Sequence, residues 1–121
     1  MDRVAGVLGT GGPCRTRKIP LGLTGALGEA LERAVAEGGA SGLEPLSARR
    51  LVTRFGEDWE EAIRLIREDP ALGEPAVPGL PVLGVELHLA RSREMALTDD
   101  DVLVRRTRLS TMDASVRLPT P

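Results

Sequence analysis

Few residues of this chain could do chemistry alone. His88 is the only histidine and Cys14 the only cysteine. A single histidine leaves no second base with which to complete a Ser-His-Asp arrangement. His88 also lies in the apolar run VLGVELHLA, which suits a packing or surface residue better than a catalytic base. Cys14 stands beside Arg15, Arg17 and Lys18, neighbours that would lower its thiol pKa if it were exposed. It cannot form an internal disulfide, and one cysteine cannot build a zinc site, so it reads as an unreactive thiol. Gly9, Gly11 and Gly12 lack the G-x-G-x-x-G spacing of a dinucleotide-binding turn and follow no strand; there is no P-loop either. The triplet Asp99 to Asp101 lacks the alternating pattern and the twelfth-position glutamate of a calcium loop. No catalytic, cofactor-binding or metal-ligating residue is therefore expected here.

The charged residues point to structural work instead. Thr98 and Asp101 have capping-box spacing: the threonine hydroxyl accepts the Asp101 N–H, and the carboxylate accepts the Thr98 N–H. Asp99, Asp100 and Asp101 place negative charge in the first turn, and Arg105, Arg106 and Arg108 positive charge in the last, matching the helix macrodipole. A short helix from about Asp99 to Arg108 follows, entered by a turn at Leu97 and Thr98. Glu86 and Glu94, just before it, are the nearest carboxylates for an arginine-rich helix folding back antiparallel. Arg105 and Arg106 point about 100° apart on a helix, and Val102, Arg106 and Leu109 share a face. The expectation is that Arg106 pairs with Glu86 or Glu94 across two packed helices. The competing reading, arginines that bind a substrate phosphate, is weaker because arginine clusters usually form ion pairs.

The elements that must position these residues are helices. In Leu23 to Gly38, residues Leu27, Ala30, Leu31, Ala34 and Val35 fall on one face, with Thr24 as N-cap and Gly38-Gly39 as the stop. Ser47 caps ARRLVTRF, in which Leu51, Val52 and Phe55 share a face and Gly56 ends the helix. Asp58 opens the next helix, with Glu61 completing a second capping box and Trp59, Ala62, Ile63 and Ile66 as its stripe. Asp69-Pro70 closes it. Pro70 to Pro81 reads as an ordered proline-rich loop with one turn near Ala71 and Leu72. Val82 to Met95 carries both strand-like alternation and a helical face through Leu83, Leu87, Ala90, Glu94 and Leu97. A lone strand cannot satisfy its backbone, so helix is preferred. The expected fold is all-α: a small non-parallel bundle of about five helices with a proline-rich loop.

Bulk properties agree with one domain. The chain has 121 residues, and Phe55 and Trp59 are its only aromatics, so its core must be aliphatic. Sixteen basic and eighteen acidic residues leave a net charge of −2. That gives no general reason to expect nucleic acid or an acidic membrane as partner. The helix pair from Ser47 to Glu68 is no DNA-binding helix-turn-helix, because its acidic second helix would be repelled by phosphate. No apolar run is long enough to span a bilayer, and Met1 to Pro20 lacks a signal-peptide core. The lone cysteine is weakly consistent with a reducing compartment.

The run EMALTDDDVLVRRTRL, preceded by GVELHLARSRE, resembles the C-terminal helical domain of FAD-dependent glycerol-3-phosphate dehydrogenases and the related glycerophosphate oxidases. CRTRKIPLG, LSARRLVTRFG and DPALGEPAVPGLPVLG agree in the same order, so the likeness runs from Asp2 to about Asp113. Leu89 departs from it, standing where the family pattern has an aromatic residue. The resemblance implies a parent enzyme that oxidises sn-glycerol 3-phosphate to dihydroxyacetone phosphate, with FAD and passing electrons to quinone. It implies no flavin or substrate residue in this chain. Residues 1–20 would be a linker from an upstream flavin-binding domain, 21–113 the helical domain and 114–121 a frayed tail. The domain would cap or stabilise the catalytic domain or aid a homodimer, leaving an apolar face where the two meet. The parent would be cytoplasmic, peripheral on the inner face of the membrane. The alternative is a free-standing helical interaction module with no enzyme activity.

Overall fold

The computed structural model describes residues 25–118 and, before them, only Val7, Gly9 and Lys18. Cys14, Thr24 and the glycines Gly11 and Gly12 lie outside the described residues. Five α-helices and one π-helix follow in order: α1 (Leu27–Gly39), α2 (Pro45–Phe55), α3 (Trp59–Glu68), α4 (Gly84–Ser92), the π-helix (Asp101–Arg106) and α5 (Leu109–Met112). No strand is present among the described residues.

α3 shows most directly how the pattern dictates burial. Trp59, Ala62, Ile63 and Ile66 recur at helical spacing, and all four are buried, while Glu60, Arg64 and Glu68 stay outside. This stripe is the centre of the main core. Ala30 and Ala34 of α1, Leu51 and Val52 of α2, Val85 and Leu89 of α4, and Leu83 just before α4 all join it. Burying a side chain of this size stabilises by roughly 1.5–3 kcal/mol. Leu27, on the expected stripe, ends half exposed at 51%, at the first residue of α1.

Two helix starts, and the capping of a third, differ from the sequence expectation. α1 begins at Leu27, since Gly25 and Ala26 are not helical, and Ala26 makes no side-chain cap bond. α2 begins at Pro45 with Glu44 extended before it, so Ser47 sits in the first turn and caps nothing. The reason is that proline, with φ preset and no N–H to satisfy, starts a helix at N1 more readily than a hydroxyl two residues later. Asp58 makes no cap bond either; a 3-10 turn at Gly56–Asp58 links α2 to α3, and Glu61 pairs with arginines instead of closing a capping box. Gly56 has φ 60°, a left-handed conformation that glycine adopts without strain, and it is what stops α2.

Asp69 ends α3 and caps a 3-10 turn at Pro70–Gly73, accepting the Ala71 N–H at 3.1 Å. The proline-rich loop then closes on itself. Ala76 N–H donates to Val82 carbonyl at 2.8 Å, and Gly84 N–H to Glu74 carbonyl at 2.9 Å. Gly84 must be small: a Cβ there would lie 3.3 Å from the Leu72 backbone. α4 follows, with Val85, Glu86, Leu89 and Ala90 buried. Leu97, assigned to its helical face by sequence, is 84% exposed, because the helix stops at Ser92 and Met95 turns left-handed at φ 56°.

The next segment is wound more widely than an α-helix. Val102 N–H bonds Thr98 carbonyl four residues back, but Thr107 N–H reaches Val102 carbonyl five back. The buried Thr107 hydroxyl donates to that same carbonyl at 2.7 Å. The helix ends at Arg106, two residues short of the expected Arg108, which is left-handed at φ 59° and turns the chain into α5. A second core forms here: Val82, Leu103, Leu109 and Val116 are buried together, with Leu118 packed on them. The expected frayed tail is therefore packed through residue 118, because Val116 and Leu118 bury apolar surface that the second core leaves open.

Thr98 and Asp101 form the reciprocal cap at the entrance. The Thr98 hydroxyl accepts the Asp101 N–H at 3.1 Å, and the Asp101 carboxylate accepts the Thr98 N–H at 3.0 Å. Thr98→Ala removes half of this cap and is expected to cost about 1 kcal/mol. Urea denaturation checks this, with the midpoint falling and the slope unchanged.

Candidate functional site

The structure gathers the arginines into one place. α2 carries Arg50 and Arg54 one turn apart on a single face, the turn after α4 carries Glu94, and the π-helix and its exit carry Arg105, Arg106 and Arg108. Together these six side chains line an open groove of about 640 Å³.

Its deepest anchor is Glu86. This residue is 0% exposed. Arg50 grips it with both arms of its guanidinium, Nε to Oε1 at 2.9 Å and NH2 to Oε2 at 3.1 Å. Oε1 also accepts the Leu83 N–H at 3.1 Å, which serves the N-terminus of α4. A buried carboxylate needs such saturation, because desolvation of a lone ion is costly. Arg54 donates to Glu94 Oε2 at 2.7 Å, while its own Nε is buried without an acceptor.

Arg106 does not reach Glu86. It donates through Nε and NH2 to the Glu94 backbone carbonyl at 3.0 and 2.8 Å, and lies 3.7 Å from the Glu94 carboxylate. Of the two partners expected for Arg106, Glu94 is the one it meets, and Glu86 is held instead by Arg50, an arginine the sequence reading did not single out. Its signal was present: Arg50 and Arg54 share a helix face four residues apart. What no spacing could reveal is that α2, and not only the π-helix, faces α4. Arg105 pairs with Asp101 at 2.6 Å, one turn back on its own helix. The exposed Arg108 guanidinium has no ion-pair or hydrogen-bond partner among the described residues.

The remaining sequence candidates lie elsewhere. His88 is on the exposed side of α4, where its carbonyl accepts the Ser92 hydroxyl. Asp99 pairs with Arg91 at 2.6 Å. Asp58 helps line a smaller depression with Phe55, Glu61 and Arg93.

Three carboxyls are held below the usual carboxylate range. For Asp101 the main cause is the Thr98 hydroxyl, then the Thr98 N–H and Arg105. For Glu61 it is the hydrogen bond from Arg64, and for Asp113 the Ser115 hydroxyl. A depressed folded-state pKa means that the stabilisation is complete above the unfolded value and is lost as pH falls through the folded one. Thermal stability is therefore expected to fall below about pH 4, after a flat stretch from about pH 5 upward. A melting temperature that rises on acidification below pH 4 would contradict this. Thr98→Ala should flatten that acid limb.

The described residues do not fit a flavin. Among the described residues there is no strand leading through a glycine-rich turn into a helix, and the arginine groove is open and lined by guanidinium groups instead of an apolar slot for a ring system. No described helix is long and apolar enough to cross a membrane.

Comparison with known proteins gives one consistent answer. Glycerol-3-phosphate dehydrogenase 2 of Mycobacterium bovis and of two strains of Mycobacterium tuberculosis are each 34% identical to this chain over 73 residues. The match covers 60% of this chain but only 12% of each relative. No solved structure matches. The family model for the C-terminal domain of alpha-glycerophosphate oxidase matches residues 14–119, nearly the whole chain. This chain, helical among its described residues, belongs to that family of C-terminal domains.

Proposed function

We propose that this domain is the non-catalytic cap of an FAD-dependent glycerol-3-phosphate dehydrogenase. The observation that carries the reading is the match of a C-terminal-domain family over residues 14–119. The chain spans about one eighth of the length of its curated relatives, which leaves the bulk of such an enzyme to house FAD and the substrate. The parent enzyme oxidises sn-glycerol 3-phosphate to dihydroxyacetone phosphate and delivers the electrons to quinone. It is cytoplasmic and peripheral on the inner membrane face. Residues 1–20 are the linker from the upstream domain, and residues 21–113 are the helical cap. Leu46, Met95 and Leu97 are 78–84% exposed and apolar; such residues gain by being covered, either by the upstream domain or by a second copy.

The test is to express the complete reading frame that contains this chain and record its visible spectrum and its glycerol-3-phosphate-dependent reduction of a quinone analogue. A flavin spectrum with activity is expected for the complete product, and neither for this chain alone. Deleting residues 21–121 from the complete product should lower its melting temperature without removing the flavin. A complete product that holds no flavin and reduces no acceptor would instead identify a free-standing interaction module.

A further inference from the structure

The groove between α2 and the π-helix carries more positive charge than its own pairings neutralise. Five arginines line it. Three carboxylates answer them: Glu86 on Arg50, Glu94 on Arg54 and more distantly Arg106, and Asp101 on Arg105. Two positive charges are left over. They sit at Arg106, whose short bonds go to a neutral carbonyl, and at Arg108, whose guanidinium has no partner among the described residues.

We propose that this groove is a binding site for a phosphate-bearing dianion. The leftover charge matches a phosphate monoester in its doubly ionised form. The donors are guanidinium groups, whose planar forks suit phosphate oxygens. The backbone is held in uncommon conformations around the groove. The π-helix places Arg105 and Arg106, Arg108 is left-handed at φ 59°, and Met95 beside Glu94 is left-handed at φ 56°. Widened π turns and left-handed non-glycine residues tend to persist where they aim side chains at a site. A rigid frame also supports it, since Arg50 is fixed by the buried Glu86 and Arg54 by Glu94. The phosphate can come from a soluble metabolite or from an anionic lipid headgroup, which present the same chemistry. The inference stands on the groove alone and does not depend on the activity of a parent enzyme.

The experiment titrates the 121-residue chain with inorganic phosphate, following arginine side-chain NMR signals, against sodium chloride at equal ionic strength. A parallel arm sediments the chain with vesicles of phosphatidylcholine alone or with phosphatidic acid. Saturable shifts at Arg106 and Arg108 with phosphate, absent with chloride, are expected if the source is soluble. Sedimentation only with phosphatidic acid, without a response to free phosphate, assigns the site to a lipid headgroup. In either arm R108Q should weaken binding about tenfold, as expected for loss of one charge-assisted contact. R108Q removes no hydrogen bond or ion pair among the described residues, so its melting temperature should match the parent. R49Q serves as control, because Arg49 is an exposed α2 arginine away from the groove. No response in either arm, a response equal to that with chloride, or equal effects of R108Q and R49Q would overturn the proposal.

Discussion

Replacing Arg50 by alanine is expected to destabilise the domain by about 3–5 kcal/mol, the usual cost of breaking a buried pair from one side. Glu86 is wholly enclosed, and Arg50 supplies two of the three hydrogen bonds to its carboxylate. Without Arg50 the carboxylate stays buried with only the Leu83 N–H. It must then take up a proton or draw water into the core, and either route costs folding energy. The reverse change, Glu86→Ala, also frees the Leu83 N–H and loosens the start of α4. A paired exchange, Arg50→Leu with Glu86→Leu, removes both charges and should recover much of the loss, because two apolar groups leave nothing unsatisfied. Urea denaturation of the two single variants and the double variant measures the coupling. A loss below about 1 kcal/mol for Arg50→Ala, the level of a surface pair, would sink the assignment. Arg105→Ala, at a side chain 71% exposed, should cost far less.

Trp59→Ala is expected to cost about 3–5 kcal/mol, the range for truncating a large aromatic in a core. Trp59 is the largest of the fully buried side chains and sits in the cluster where α1, α2, α3 and α4 meet. Its ring also carries the Arg33 guanidinium at 5.4 Å, which ties α1 to α3 from outside. Trp59→Phe keeps an aromatic face for Arg33 and most of the volume, so it should lose a minority of that energy. Circular dichroism during urea unfolding gives the midpoints, since the alanine variant has no tryptophan fluorescence to follow. An alanine variant that unfolds at the parental midpoint would mean that the α3 stripe is not the centre of the core.

Much of this was legible in the residues. The stripe Trp59, Ala62, Ile63 and Ile66 specified which face of α3 is buried, because a period of 3.6 has one solution. The Thr98–Asp101 cap was legible because its partners are three residues apart. The resemblance in four ordered stretches pointed to the family, and the family comparison agrees. Ser47 misled, because a capping residue type says where a helix can start, while Pro45 decides where it does start. Asp58 does stand immediately before α3, but its side chain makes no cap bond there.

What the sequence determined by itself was therefore local: helix faces, one cap, the break at Gly56 and the absence of any nucleotide-binding pattern. Only the tertiary structure decided which arginine meets Glu86, that residues 116 and 118 close a second core, and that five guanidinium groups share one groove. The physical reason is distance along the chain. Arg50 and Glu86 are 36 residues apart, and their pairing depends on how α2 and α4 each dock on α3. That docking is set by the summed burial around Trp59, which no single spacing encodes.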